Sequence, residues 1–269
     1  MNITEIMKLN LFPIERRNTF LWHGLNSVTR SLILHGFAGS SSSNVVVNEY
    51  PKSGGSWFCQ MLADVIDVPF PRNRLPMLKT CLMQCHAIRP FGMRNVVIVW
   101  RDGRDVAVSY YHYLLTGNEY SDARRIKRTC SSLGIHDPHD IERYLPRFIE
   151  SLMECKVGPG FNWVDFVDQW HGRDNVLEVK YESLLIDAES ELDRIASSLG
   201  YLPNPSLVTE TVKKYSFKNQ AGRDTGSEAT GSFLRKGISG DWKNKFTLES
   251  QEVFNSYAVN ALVKLGYQV

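Results

Sequence analysis

Short apolar runs alternate with helical stripes along most of the chain. Val45, Val46 and Val47 make a continuous β-branched run between Asn44 and Asn48, the pattern of a strand buried on both faces. A glycine loop follows, and then Phe58, Met61, Leu62 and Val65 recur at i, i+3, i+4 and i+7, one face of a helix. The same order returns at Val96 to Trp100, a second buried strand, with RDGR after it and helical character from Asp105 to Leu115. A third strand is predicted over Asn175 to Lys180. Its successor helix carries Leu192, Ile195, Ala196 and Leu199 on one face and ends at Gly200, a natural C-terminal cap. A last helix is predicted from Leu248 to Leu265, with Phe254, Tyr257, Ala258, Ala261 and Leu262 in helical spacing and Gly266 beyond it. Strands alternating with helices predict an α/β fold, one domain with a central parallel sheet flanked by helices.

The stretch from Gly39 through Ser43 is flexible in composition and divides the chain into an N-terminal arm, residues 1–43, and a domain, residues 44–269. Within the arm, residues 14–37 mix Arg16, Arg17 and Arg30 with Phe20, Leu21, Trp22, Leu25 and Val28. That pattern fits a helix packed on the domain, with a basic amphipathic helix on a membrane surface as the alternative. The first residues lack the basic start and apolar run of a signal peptide, and no run of about 18 apolar residues offers a membrane span. A cytoplasmic protein is expected, with peripheral membrane contact left open.

Charge narrows the choice of ligand. Thirty-one Lys and Arg face 29 Asp and Glu, a formal charge of +2, too balanced for a protein that neutralises many nucleic-acid phosphates. No nucleic-acid partner is expected, and any anion must be held locally. The five cysteines form no metal-site pattern or disulfide framework, so reduced thiols and no metal are expected.

Three segments carry candidate chemistry. In Pro51-Lys52-Ser53-Gly54-Gly55-Ser56-Trp57, glycines let the backbone curl around a ligand, and the N–H groups at the following helix's start make a phosphate cradle to which Lys52 adds a cation. It is not the Walker A loop of nucleotide kinases, in which the lysine follows the last glycine. In Arg101-Asp102-Gly103-Arg104-Asp105, an arginine at a strand end can fork onto a phosphate, and Ser109, in the helix that follows, can supply a hydroxyl where it lies on the same side. Arg104 and Asp105 either pair with one another or solvate the helix start. The third segment, Phe233 to Lys243, places Arg235 and Lys236 beside Gly237 in a basic loop able to close over an anion. Several basic loops on one site suit a multiply phosphorylated small molecule.

Together these segments resemble the cytosolic type of sulfotransferase, including its bacterial members, that uses 3'-phosphoadenosine 5'-phosphosulfate (PAPS). The family loop PKSGTTW is met by PKSGGSW, with Gly55 and Ser56 in place of two threonines. The family segment RxxxDVAVSYYH is met from Arg101 to His112, and RKGxxGDWKxxFT from Arg235 to Thr247. The resemblance implies that Lys52 neutralises the leaving group while Ser53, Gly54, Gly55 and Ser56 cradle the 5'-phosphate. Trp57 and Tyr181 would hold the adenine, with Ser216 and Phe217 lining the adenosine side. Arg101, Ser109, Arg235, Lys236 and Gly237 would take the 3'-phosphate. His86, fifteen residues before Arg101, aligns with the family's catalytic base, and Gln84 then stands where the family has a lysine. His112 reads as structural. The acceptor would be a hydroxyl or amine on a small molecule, lipid or glycan, with the stretches 68–80 and 116–162 as substrate loops. Lys243, Thr247, Leu248 and Glu252 resemble the family's dimer segment and imply a homodimer, although Thr247 can equally cap the last helix. The alternatives are a nucleotide-binding module that catalyses nothing and, less well supported, a P-loop kinase.

Overall fold

The computed structural model describes residues 44–71, 80–90, 93–118 and 121–269, and the expected arm lies outside them, as do residues 72–79 of the first substrate stretch. Four parallel strands form the centre: β1 (Val45–Glu49), β2 (Leu82–Cys85), β3 (Val96–Trp100) and β4 (Val176–Lys180), in the order β2-β1-β3-β4. Register is set by pairs such as Val46 with Met83, Val47 with Val97, and Ile98 with Glu178.

Period-two alternation sends successive residues of β1 into two separate cores. Val45 and Val47 pack with Phe58, Leu62, Leu192 and Ile195 on one face, whereas Val46 joins Trp100, Phe166, Phe254 and Leu262 on the other. Both faces are therefore covered, which is why the valine run is continuous instead of alternating with polar residues. Complete burial of a side chain such as Phe58 or Leu62 contributes roughly 1.5–3 kcal/mol.

The helices that frame the site are α1 (Gly55–Val65), which follows β1, and α2 (Gly103–Tyr111), which follows β3. Helical character beyond Tyr111 was expected to run on to Leu115 as one helix. Instead α2 passes into a π-helical turn, His112–Thr116. The stretch 116–162 is not a set of loops: it contains α3 (Ala123–Leu133) and α4 (Ile141–Met153). In α4 the residues Ile141, Tyr144, Leu145, Phe148, Ile149 and Leu152 line a buried face, and the helix tolerates Pro146 within it. Next come α5 (Trp163–Trp170), α6 (Tyr181–Ile186), α7 (Ala188–Ser198), α8 (Pro205–Lys214), α9 (Phe217–Ala221) and α10 (Leu248–Lys264). Thr247 caps α10 by accepting from the Ser250 N–H at 3.2 Å, so the capping role weighed for it is present.

Candidate active site

The loops after β1 and β3 leave neighbouring strands at their carboxyl ends. β1 connects to β2 on one side and β3 leads to β4 on the other, so the two loops flank the point where strand order reverses. Open α/β sheets bind ligands there, because diverging connections leave a crevice between two helix N-termini.

The first loop is tightly wound. Ser53 N–H donates to the Tyr50 carbonyl at 3.2 Å. Gly54 has φ 93°, and a Cβ there would meet the Tyr181 ring at 2.6 Å, so both conformation and space require glycine. Lys52, which is not glycine, also lies in the left-handed region at φ 79°, a conformation costing roughly 1–2 kcal/mol. Its carbonyl is held by Arg101 Nη1 at 3.0 Å. The Lys52 ammonium lies 4.3 Å from the Phe233 ring centroid and 4.7 Å from that of Tyr113. Burial, then the Arg101 charge, lower its pKa to about 8, with Arg235 adding to the effect and Glu49 opposing it.

Glu49 occupies the space that a side chain at position 55 would need. It is 3% exposed at the end of β1. One carboxylate oxygen accepts from Gly55 N–H at 2.5 Å, and the other accepts from Gln84 Nε2 at 2.6 Å. Gln84 Nε2 also donates to Ser56 Oγ at 2.9 Å. A Cβ on residue 55 would lie 2.5 and 2.6 Å from the two oxygens of Glu49. Gly55 and Gln84 thus meet at one buried carboxylate, which also stabilises the positive end of α1.

His86 follows β2 directly, beside this network. Its Nδ1 lies 3.0 Å from the Glu49 carbonyl oxygen. A carbonyl only accepts, so Nδ1 carries the proton and Nε2 presents a lone pair. His86 is exposed, while the backbone of its neighbour Ala87 is anchored. Buried Asn48 accepts from Ala87 N–H at 2.8 Å and donates to the Ala87 carbonyl at 2.9 Å, and Trp170 Nε1 donates to that same carbonyl at 2.8 Å.

Arg101 ties the first loop to the third. Its Nη2 donates to the Ile238 carbonyl at 3.2 Å, and its guanidinium stands 4.5 Å over the Tyr181 ring. Asp105 completes the tie by accepting from Gly240 N–H at 2.6 Å and from Trp242 N–H at 2.9 Å. The alternatives weighed for Arg104 and Asp105 are both corrected. Arg104 pairs with buried Asp102 at 2.7 Å, because Asp105 turns inward to serve the third loop. In that loop Arg235 pairs with Asp241 at 2.6 Å and with Glu228 at 2.5 Å, and Lys236 pairs with Asp241 at 2.5 Å. Burial raises the Asp241 pKa, but hydrogen bonds from Lys236 and Arg235 outweigh it and bring it to about 2. A narrow cavity between the loops is lined by Lys52, Ser109, His112, Tyr113, Phe233 and Arg235, among others.

The model of the sulfotransferase domain matches residues 92–266. The chain belongs to the sulfotransferase family. Among curated relatives, guinea pig (Cavia porcellus) sulfotransferase 1E1 is 25% identical over 260 residues, covering 80% of this chain and 81% of the relative. Human (Homo sapiens) sulfotransferase 2B1 is 26% identical over 254 residues, covering 79% of this chain and 64% of its own. The fold is shared with mouse sulfotransferase SULT7A1, whose crystal structure is complexed with PAP, at TM-score 0.63, 21% identity, and coverage of 87% of this chain and 90% of that one. Retinol dehydratase in complex with androsterone and PAP shares it at TM-score 0.57, 17% identity, and coverage of 90% and 86%.

In this sulfotransferase the expected site residues gather at one end of the sheet. Trp57 and Tyr181 meet edge to face at 5.9 Å, and Phe217 packs against the backbone of Gly237. Two side chains are already engaged: the Trp57 indole N–H donates to the Tyr215 carbonyl at 2.8 Å, and Ser216 Oγ caps α9. Sequence reasoning placed Asp105 with Arg104 or at a solvated helix start, and it missed Asn48 and Glu49. Only the presence of polar residues within or beside apolar runs signalled them. Among the described residues no cluster of His, Cys, Asp or Glu is arranged to hold a metal, and no helix is long and apolar enough to cross a membrane.

Proposed function

We propose that this sulfotransferase moves a sulfuryl group from PAPS to a hydroxyl or amine of a small-molecule acceptor, with His86 as general base. The arrangement of His86 carries this reading: its proton is committed to the Glu49 carbonyl, leaving Nε2 to accept a proton from the acceptor.

PAPS supplies the sulfuryl group, and 3'-phosphoadenosine 5'-phosphate (PAP) remains after transfer. Two features of the chain suit such a polyanion. Burial is the main cause of the depressed Lys52 pKa, and the Arg101 and Arg235 charges that lower it further are ones a bound anion would offset. Arg101 Nε and His112 Nε2 are buried polar atoms with no hydrogen-bond partner in the protein. Lys52, Ser53, Gly54 and Ser56 would hold the 5' end, and Trp57, Tyr181 and Phe217 the adenine. Gly55 N–H is given to Glu49, so fewer loop amides reach the phosphate than PKSGTTW would offer. Arg101, Ser109, Arg235, Lys236 and Gly237 would hold the 3' end. Lys52 then places positive charge where the leaving oxygen gains negative charge. Acceptor activation by a positioned histidine contributes typically 10²- to 10⁴-fold.

Acceptors on a lipid or a glycan, a cytoplasmic location, a catalytic domain over residues 44–269 and a homodimer through the segment Lys243 to Glu252 are parts of the same reading. The test is His86→Ala, assayed for transfer from radiolabelled PAPS to a panel of hydroxyl and amine acceptors and for PAP binding by calorimetry. Loss of transfer with PAP binding intact is expected. Normal transfer in the variant overturns the assignment of the base, and PAP binding by the wild type without transfer to any acceptor favours a silent binding module.

A further inference from the structure

His112 opens the π-helical turn that follows α2, and its ring is buried, 8% exposed. Such turns recur at functional sites because they re-aim side chains that a regular helix would point elsewhere. Thr116 fixes the ring's proton. The Thr116 hydroxyl donates to the His112 carbonyl at 3.0 Å, so its oxygen is left to accept from Nδ1, 3.4 Å away. Nε2 is then a buried lone pair without a partner in the protein, and His112 is among the residues lining the narrow cavity shared with Ser109, Lys52 and Arg235.

That arrangement is unfavourable unless something fills it, since leaving a buried polar atom unpaired costs roughly 1–3 kcal/mol. The surroundings state what would. Arg235, Glu228, Lys245 and Asp241 are the charges felt by the ring, Lys52 and Tyr113 line the same cavity, and Tyr111 touches the ring edge to face. Burial, then Arg235, lower the pKa of the ring to about 4, so at neutral pH it brings no proton of its own to Nε2. Cations in the wall call for an anion, and a bare nitrogen calls for a proton. A phosphate monoester meets both, because its second ionisation lies near 6.

We infer that His112 is a ligand of the nucleotide's 3'-phosphate, held with Ser109 and Arg235, and that one proton is shared between a phosphate oxygen and Nε2. The inference rests on the reading of a PAPS site above and adds a residue to it. The shared proton arrives with the phosphate monoanion or is taken from solvent when the dianion binds. No other bond forms or breaks. His112 would thereby favour nucleotides bearing a 3'-phosphate over those without one.

Calorimetry tests this with PAP and with AMP, which lacks the 3'-phosphate, at pH 6 and pH 8, on the wild type, His112→Asn and His112→Phe. Asparagine can donate directly to the dianion, so His112→Asn should bind PAP at pH 8 but lose proton linkage. The gain in PAP affinity from pH 8 to pH 6 should be about tenfold or more larger in the wild type than in this variant. His112→Phe should weaken PAP at pH 6 by about tenfold or more and leave AMP within twofold. Equal PAP affinity and equal pH dependence in all three proteins overturn the inference. Should His112→Phe also lose AMP, the packing has failed and the comparison of His112→Asn with the wild type decides. A wild type that does not bind PAP overturns the underlying reading instead.

Discussion

Restoring the family's threonine at position 55 should damage this enzyme. Gly55 opens α1, where threonine is intrinsically better than glycine by a few tenths of a kcal/mol, so without tertiary contacts Gly55→Thr would be neutral or stabilising. Here the new Cβ would lie 2.5 and 2.6 Å from the oxygens of Glu49, well inside contact distance. The carboxylate cannot yield freely, because it is buried and holds both Gly55 N–H and Gln84 Nε2. Displacing it breaks two hydrogen bonds to a charged group, about 1.5–3 kcal/mol each, for a total of about 3–6 kcal/mol. For a protein of this size a loss of 1 kcal/mol lowers the Tm by about 2–4 °C, so a fall of about 6–24 °C is expected by differential scanning fluorimetry. Glu49→Ala alone should also destabilise, because it leaves Gly55 N–H and Gln84 without their acceptor. In the double variant the alanine makes room, so the two losses should fall short of additive by about 2 kcal/mol or more in denaturant titrations. A Gly55→Thr protein as stable as the wild type, or strictly additive losses, would refute the proposed dependence of Gly55 on Glu49.

Substitutions at two further positions probe other parts of the site. Lys52 has a pKa of about 8, so its charge is present below that pH and is lost as pH rises through it; kcat/KM should decline above about pH 8, and Lys52→Arg should remove that limb from the pH profile. The same depression makes the free protein gain stability with pH between about 8 and 10.5, because the unfolded lysine keeps its proton longer, and Lys52→Met should raise the Tm at neutral pH. Asp105→Ala should free the loop around Gly240 and Trp242, weaken PAP binding by about tenfold or more and increase protease cleavage within residues 223–240, whereas unchanged cleavage would show that other contacts hold the loop.

Much of the frame was legible along the chain. β1 and β3 announced themselves through β-branched runs, since strands covered on both faces admit few polar residues, and α7 and α10 through residues repeating on one face, whereas β4 is half-buried and carries Glu178 and Lys180 among its apolar residues. β2 is four residues long and includes Gln84, too short and too polar to stand out. α4 carried a readable stripe, but Pro146 imitates a helix breaker, and α3 buries only Leu133, so its pattern is that of an exposed segment. Of the candidate site, the cations and glycines were recognisable because phosphate chemistry restricts which residue types can serve it.

The parallel α/β class, the three candidate anion-binding segments and their order are legible along the chain. Local composition suffices for those, because backbone periodicity and loop chemistry act over a few residues. Contacts across the fold bring Glu49 to Gly55 and Gln84, turn Asp105 to the third loop and not to Arg104, and leave His112 Nε2 buried and unpartnered beside the cavity. Each of these joins residues distant in the chain or reverses a local pairing, and the cost of an unpaired buried polar group is settled only when the fold shows what stands opposite it.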